Sequence, residues 1–281
     1  MQKIIQGISD GSILHLDLIE EIGEHSERVT INTYPDPDLI RHDRFSLKEY
    51  FLEDDIDLST DYSFIVNANL EDYGFVIDGD LHTDLGDERG LSYEIEEVNE
   101  RQRKVTLRGI LQGDYSDIDM DAEADICITG LLKSDYVNLS LYKELAIDAY
   151  LLESENNIKM AFFTYFSAME AIIRSKLDVI QLKIHTELHD ALEHLALDLK
   201  VKIVAKESFA TDDLKQVPIW GEFQGLLREV KKIRNLIAHG KLENEITVID
   251  LNKCIACYVV LFCFTYKNLT TFETIIKAFK K

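Results

Sequence analysis

The sequence predicts an α+β protein in two parts: an antiparallel β-sandwich or barrel-like domain over residues 1–138, then an all-α bundle over residues 139–281. Three observations predict it. Apolar residues alternate with polar ones in the first part, the period of a half-buried strand, and recur at helical spacing in the second. The charge breaks at the same place: residues 1–138 hold 33 acids and 11 bases, a formal −22, whereas residues 139–281 hold 19 of each. Connections such as "EDYG" and "NERQR" are too short for crossover helices and favour antiparallel neighbours.

Strands are predicted at Ile13–Ile19, Arg28–Tyr34, Tyr62–Leu70, Gly74–Leu81, Leu91–Val98, Lys104–Leu111 and Ala124–Leu131, where β-branched and aromatic residues alternate with polar ones. In "YSFIVNANL" the alternation puts Tyr62, Phe64, Val66 and Ala68 on one face. One helix near "SLKEYFLE" (46–53) interrupts the pattern. In the second part helices are predicted at about 139–153, 157–179, 184–206, 219–239, 250–267 and 271–279. The run "MAFFTYFSAMEAIIRSKL" is apolar nearly all round, which predicts a place at the centre of the bundle. Pro218 and Gly240 bracket the fourth helix, proline before the start and glycine after the stop.

Composition narrows the class. With 281 residues and 46% hydrophobic content, the chain can build two cores. The N-terminus lacks the basic region and long apolar run of a signal peptide, and the longest apolar stretch, "IACYVVLFCFTY" (255–266), is too short to span a bilayer. These features predict a cytoplasmic protein with no membrane partner. Three of the four cysteines, Cys254, Cys257 and Cys263, fall in one apolar helical run and read as buried free thiols, as in a reducing compartment. Cys254 and Cys257 spell C-x-x-C, but no second pair follows to complete a zinc or redox site. Neither a G-x-x-x-x-G-K loop, a G-x-G-x-x-G turn nor a G-x-S-x-G elbow occurs, which argues against a nucleotide-driven motor, a dinucleotide enzyme and an acyl hydrolase.

The candidate site is "KKIRNLIAHG" (231–240), which closes the fourth helix. Gly240 can take the left-handed conformation after the last turn, leaving His239 to end the helix beside unsatisfied carbonyls. Asn235 lies one turn before His239 on the same face and Lys231 a further turn back, so either can orient the ring. At 100° per residue, Arg234 points about 140° away from His239. The two converge on one group only if the helix end unwinds or a second copy of the helix completes the site.

These residues carry a resemblance. "RNLIAHG" is similar to the R-x(4–6)-H signature of the HEPN superfamily, with a polar residue after the arginine, and "FSAMEAII" upstream resembles that family's acidic helix. The resemblance covers residues 139–281. It implies an all-α bundle that forms a homodimer with the two motifs facing across one cleft. It further implies a metal-independent endoribonuclease, with RNA as substrate and no cofactor, serving as a toxin or effector in bacterial antiviral defence, abortive infection or growth arrest. Carried over by position, Arg234 matches the motif arginine, Asn235 its polar neighbour and His239 the motif histidine; Glu170 matches the acidic partner of the arginine, and Lys231 is supporting. A histidine pair can take the proton from a ribose 2′-OH and return one to the leaving 5′-oxygen, giving a 2′,3′-cyclic phosphate, while a guanidinium holds the phosphate oxygens. A β-rich domain ahead of such a bundle resembles the ApeA-type anti-phage effectors, and a phage-derived or antitoxin protein is then a possible partner. Two alternatives stay open: a non-catalytic HEPN module that binds RNA or protein, and a plain helix cap with a structural Arg–Glu ion pair.

Other clusters carry less. "IHTELHDALEHL" spaces His185, His189 and Glu193 one turn apart, a zinc-compatible spacing on a continuous helix, with a solvated helix face as the alternative. "DIDMDAEAD" (117–125) begins like a calcium loop but has Ala122 where glycine belongs and Ile128 where a bidentate glutamate belongs; the alternative is an acidic strand or loop. An acidic domain of this kind can compete with phosphate for a basic cleft and so act as a sensing or regulatory domain.

Overall fold

The computed structural model describes residues 1–35, 59–82, 91–99, 104–114, 121–240 and 245–279. The chain is α+β and divides into two compact units: Glu21–Asn138, and Met1–Glu20 together with Leu139–Lys281. The first twenty residues were assigned above to the β-rich part. They belong instead with the helices, because "QKIIQGIS" has its apolar residues at helical spacing and buries them there.

The Glu21–Asn138 unit is built on six antiparallel strands: β1 (Gly23–Pro35), β2 (Ser59–Asn69), β3 (Tyr73–His82), β4 (Leu91–Asn99), β5 (Lys104–Asp114) and β6 (Asp121–Leu132). Their order across the sheet is β3-β6-β1-β2-β5-β4. β1 joins two ladders, pairing with β6 from Gly23 to Asn32 and with β2 from Thr33 to Pro35. The two edge strands, β3 and β4, lie beside each other as well. Where β3 slips register on β6, Gly130 sits opposite Val76, and a Cβ there would meet the Phe75 carbonyl at 2.6 Å; only glycine permits that approach. A four-residue helix, α2 (Lys133–Tyr136), ends the unit. Asp121–Asp125 lies in β6, paired with β1, so this part of the acidic run is strand rather than calcium loop; residues 117–120 and the helix expected at 46–53 lie outside the described residues.

The helical unit comprises α1 (Gln2–Ser9), α3 (Leu141–Ser154), α4 (Ile158–Gln181), α5 (His189–Glu193), α6 (Leu197–Phe209), α7 (Trp220–Ala238), α8 (Val248–Tyr266) and α9 (Phe272–Ala278). The strand expected at Ile13–Ile19 is a 3-10 turn, His15–Leu18, whose Leu16, Leu18 and flanking Ile19 are buried. The helix expected over 184–206 is broken into a 3-10 turn, a five-residue helix and α6.

Thr247 and Asp250 form a reciprocal capping box that starts α8, and burial then runs almost unbroken from Leu251 to Thr265. This helix, not α4, is enclosed nearly all round; α4 keeps an exposed face at Met160 and Val179. At 19 residues α8 is long and apolar enough to cross a bilayer, contrary to the estimate from its 12-residue apolar run, but it packs against α1, α4, α6 and α7 as a core helix. Cys254, Cys257 and Cys263 are free and buried on it, and burial pushes all three thiols up, Cys263 to about 12, which leaves them poor nucleophiles.

A buried polar cluster ties the N-terminal segment to this core. The Tyr165 hydroxyl of α4 lies 2.7 Å from His15 Nε2 and 3.1 Å from Glu153 Oε2 of α3. The Tyr150 ring tilts over His15 at 5.9 Å. Burial holds the His15 imidazole neutral, its pKa pushed down to about 3, and raises the Glu153 carboxyl.

Candidate functional site

The site is built on α7, whose sequence divides its two sides. Trp220, Phe223, Leu226, Leu227 and Val230 repeat every three to four residues and are buried against the unit's core. Arg234 follows Val230 by four and continues that inward stripe, so it turns toward α4. His239 caps the helix: its N–H donates to the Asn235 carbonyl at 3.1 Å, and Gly240, at φ 62°, donates to the Ile237 carbonyl at 3.0 Å. The glycine expected to break the helix is thus in the left-handed region that L side chains avoid.

Arg234 Nη2 lies 3.4 Å from Glu170 Oε2 of α4, and the guanidinium carbon stands 5.6 Å and 5.5 Å from the ring centroids of Phe163 and Phe166. Its Nε is buried with no hydrogen-bond partner among the described residues. The side chain is 30% exposed, so one edge still reaches solvent. The ion pair and the two aromatic faces fix the guanidinium against α4 rather than beside His239.

The opposite side of α7 forms an open groove of about 390 Å³. Asn235 and His239 line it together with Arg228, Lys231 and Lys232, and Asp198 of α6 supplies the acidic member. Lys231 does not orient the histidine ring as expected; its ammonium donates to Asp198 Oδ2 at 2.9 Å. Asn235 and His239 make no side-chain hydrogen bond to each other among the described residues; their link is the backbone bond. Both side chains are exposed to the groove.

The five sequence-derived residues therefore separate into two sets: Arg234 with Glu170 on the inner side, and Asn235, His239 and Lys231 in the groove. The 140° offset of Arg234 from His239 is kept, since α7 stays regular to Ala238. Arg228 and Asp198 were missed in the sequence, and Lys232 entered only as part of the stretch 231–240. The signal for Arg228 and Lys232 was legible, since 228, 232, 235 and 239 fall at one polar residue per turn. Asp198 comes from another helix and gave none.

The His185, His189 and Glu193 set does not assemble. His189 Nε2 lies 3.0 Å from the Gln181 carbonyl, Glu193 accepts from Arg174 at 3.0 Å, and His185 lies in the loop before the 3-10 turn. Among the described residues no group of three or more His, Cys, Asp or Glu side chains is arranged to hold a metal. Comparison of the chain with protein-family models, with curated proteins and with solved structures finds no match.

Proposed function

We propose that the helical unit is a HEPN-type bundle and that the protein is an endoribonuclease using Arg and His chemistry without a metal. In this reading it acts as a cytoplasmic toxin or effector in bacterial defence or growth arrest. The observation that carries the proposal is the helix end itself: His239 and Asn235 open onto a groove rich in cations, while Arg234 is anchored five residues earlier against Glu170. The exposed imidazole takes a proton from the ribose 2′-OH, and Lys231 with its neighbours holds the phosphate. A two-fold homodimer pairing the ends of two α7 helices supplies a second imidazole for the leaving oxygen and brings the solvent-facing edge of a partner guanidinium to the scissile phosphate. The acidic sheet, whose neighbouring edge strands suit an open barrel or sandwich, is the sensing domain, with a phage-derived or antitoxin protein as its partner.

A second reading has its own observation. Arg234 engages Glu170 and two phenylalanine rings as a structural ion pair does, which favours a non-catalytic HEPN module that binds RNA or protein. The deciding experiment incubates purified protein with total RNA in EDTA and identifies the cut ends. The nuclease reading expects 2′,3′-cyclic phosphate termini that vanish with His239→Ala; intact RNA from the wild-type dimer leaves the binding module.

A further inference from the structure

Three of the groove's side chains lie outside the residues that the sequence motif supplies, and two of them have no partner among the described residues. Arg228 and Lys232 form no ion pair or hydrogen bond among the described residues, whereas Lys231 is held by Asp198. On a helical wheel Arg228, Lys232, Asn235 and His239 fall within an arc of about 60°. Successive members are separated by three or four residues, a rise of about 5–6 Å each, and Arg228 stands about 16 Å from His239 along the axis. This is a track with one polar or cationic side chain per turn.

We infer that Arg228 and Lys232 hold the sugar-phosphate backbone of a single nucleic-acid strand that runs along the outer face of α7 to His239. A nucleotide strand carries one charge per residue at a repeat close to the helical turn, so it meets each cation in sequence. An acidic peptide would need carboxylates at a matching spacing. Leu236, at the groove wall, offers an apolar surface to a sugar or base, and the Asn235 amide has both a donor and an acceptor for a base edge. Asp198 occupies Lys231 as a phosphate would, and is displaced from it when the strand binds. The setting sharpens the contrast: the helical unit carries 22 acids and 20 bases overall, yet its groove holds three cations and one acid. The inference rests on the ribonuclease reading for the identity of the strand as RNA, and on the groove alone for its path.

The test measures binding of full-length protein to labelled 2′-deoxy oligonucleotides, which cannot be cut through a 2′-oxygen, across a salt series. Arg228→Ala with Lys232→Ala lowers the slope of log affinity against log salt by about 1.4, since each lost phosphate contact removes about 0.7 for a single strand. Both side chains are exposed, so the variant folds, and a circular dichroism spectrum checks it. The loss grows with length: a decamer loses at least tenfold in affinity at low salt, whereas a dinucleotide, too short to reach Arg228 from His239, loses little. An unchanged slope, an equal loss for both lengths, tighter binding of a duplex, or displacement of the decamer by poly-glutamate at equal charge each overturns the inference. Failure of the nuclease reading is seen separately. Wild-type protein that binds the decamer with the expected slope but cuts no RNA keeps the track and loses the enzyme; cutting with an unchanged slope does the reverse.

Discussion

At the end of α7 one helical offset assigns two side chains to different tasks. His239 is exposed, so in the proposed nuclease His239→Ala removes chemistry without removing packing. We expect RNA cleavage to fall by at least 100-fold, the usual worth of a general acid or base, with thermal unfolding unchanged. Arg234→Ala behaves otherwise. It strips a cation from Glu170 and from two aromatic faces, so it lowers stability by about 1–2 kcal/mol as well as activity, and Arg234→Lys restores little because the planar guanidinium is lost. Matched activity assays and melting curves separate the two. His15 supplies a pH dependence of the fold. Its folded pKa, about 3, lies below the ordinary histidine value, so the unfolded chain binds the proton first. The stability it contributes is present above pH 6.5 and is lost as pH falls toward 3, at up to about 1.4 kcal/mol per pH unit. Glu153, raised by burial, works in the opposite sense as its carboxyl protonates, so the histidine effect is clearest just below pH 6.5. Denaturant titrations from pH 7 to 5 should show a steep loss in the wild type and a flatter one in His15→Gln.

Among the elements, the N-terminal segment is the one whose assignment changes an experiment. Ile4, Ile13, Leu16, Leu18 and Ile19 are buried in the helical unit. At about 1.5–3 kcal/mol for each such side chain, their loss is comparable with the whole stability of a domain. A fragment of residues 139–281 should therefore be insoluble or unfolded, whereas residues 1–20 joined by a flexible linker to residue 139 should give a cooperative melt. Cooperative folding of 139–281 alone would show that the segment is dispensable. The strands were legible because alternation is a local property: all six lie where it placed them, with ends shifted by at most five residues. The segment at 13–19 misled for the same reason. Within "ILHLDLI" the central "LHLDL" alternates, yet its residues are recruited as a 3-10 turn by a core made of helices far away in sequence. The break after residue 181 was expected, but those within 184–197 carry no proline or glycine, so no local signal marked them.

On the scale of the whole molecule the asymmetry of charge is the dominant fact. Of the formal −22, the Glu21–Asn138 unit carries −20, from 30 acids and 10 bases. A field of that size repels polyanions at low ionic strength and is screened within about 8 Å at physiological salt. Excising residues 21–138 while keeping 1–20 should raise RNA cleavage at low salt and have little effect at 0.5 M; unchanged or reduced activity at low salt would remove the regulatory reading of the acidic unit. By itself, the sequence determined the two periods, the charge break and the helix end with its arginine, asparagine, histidine and glycine, because each is written within one turn or one strand. Tertiary structure alone decided that residues 1–20 serve the helical unit, that Lys231 turns to Asp198 rather than to His239, and that Asp198 enters the groove. Those facts depend on which side of a helix finds a neighbour, and a neighbour tens of residues away leaves no mark on the local pattern.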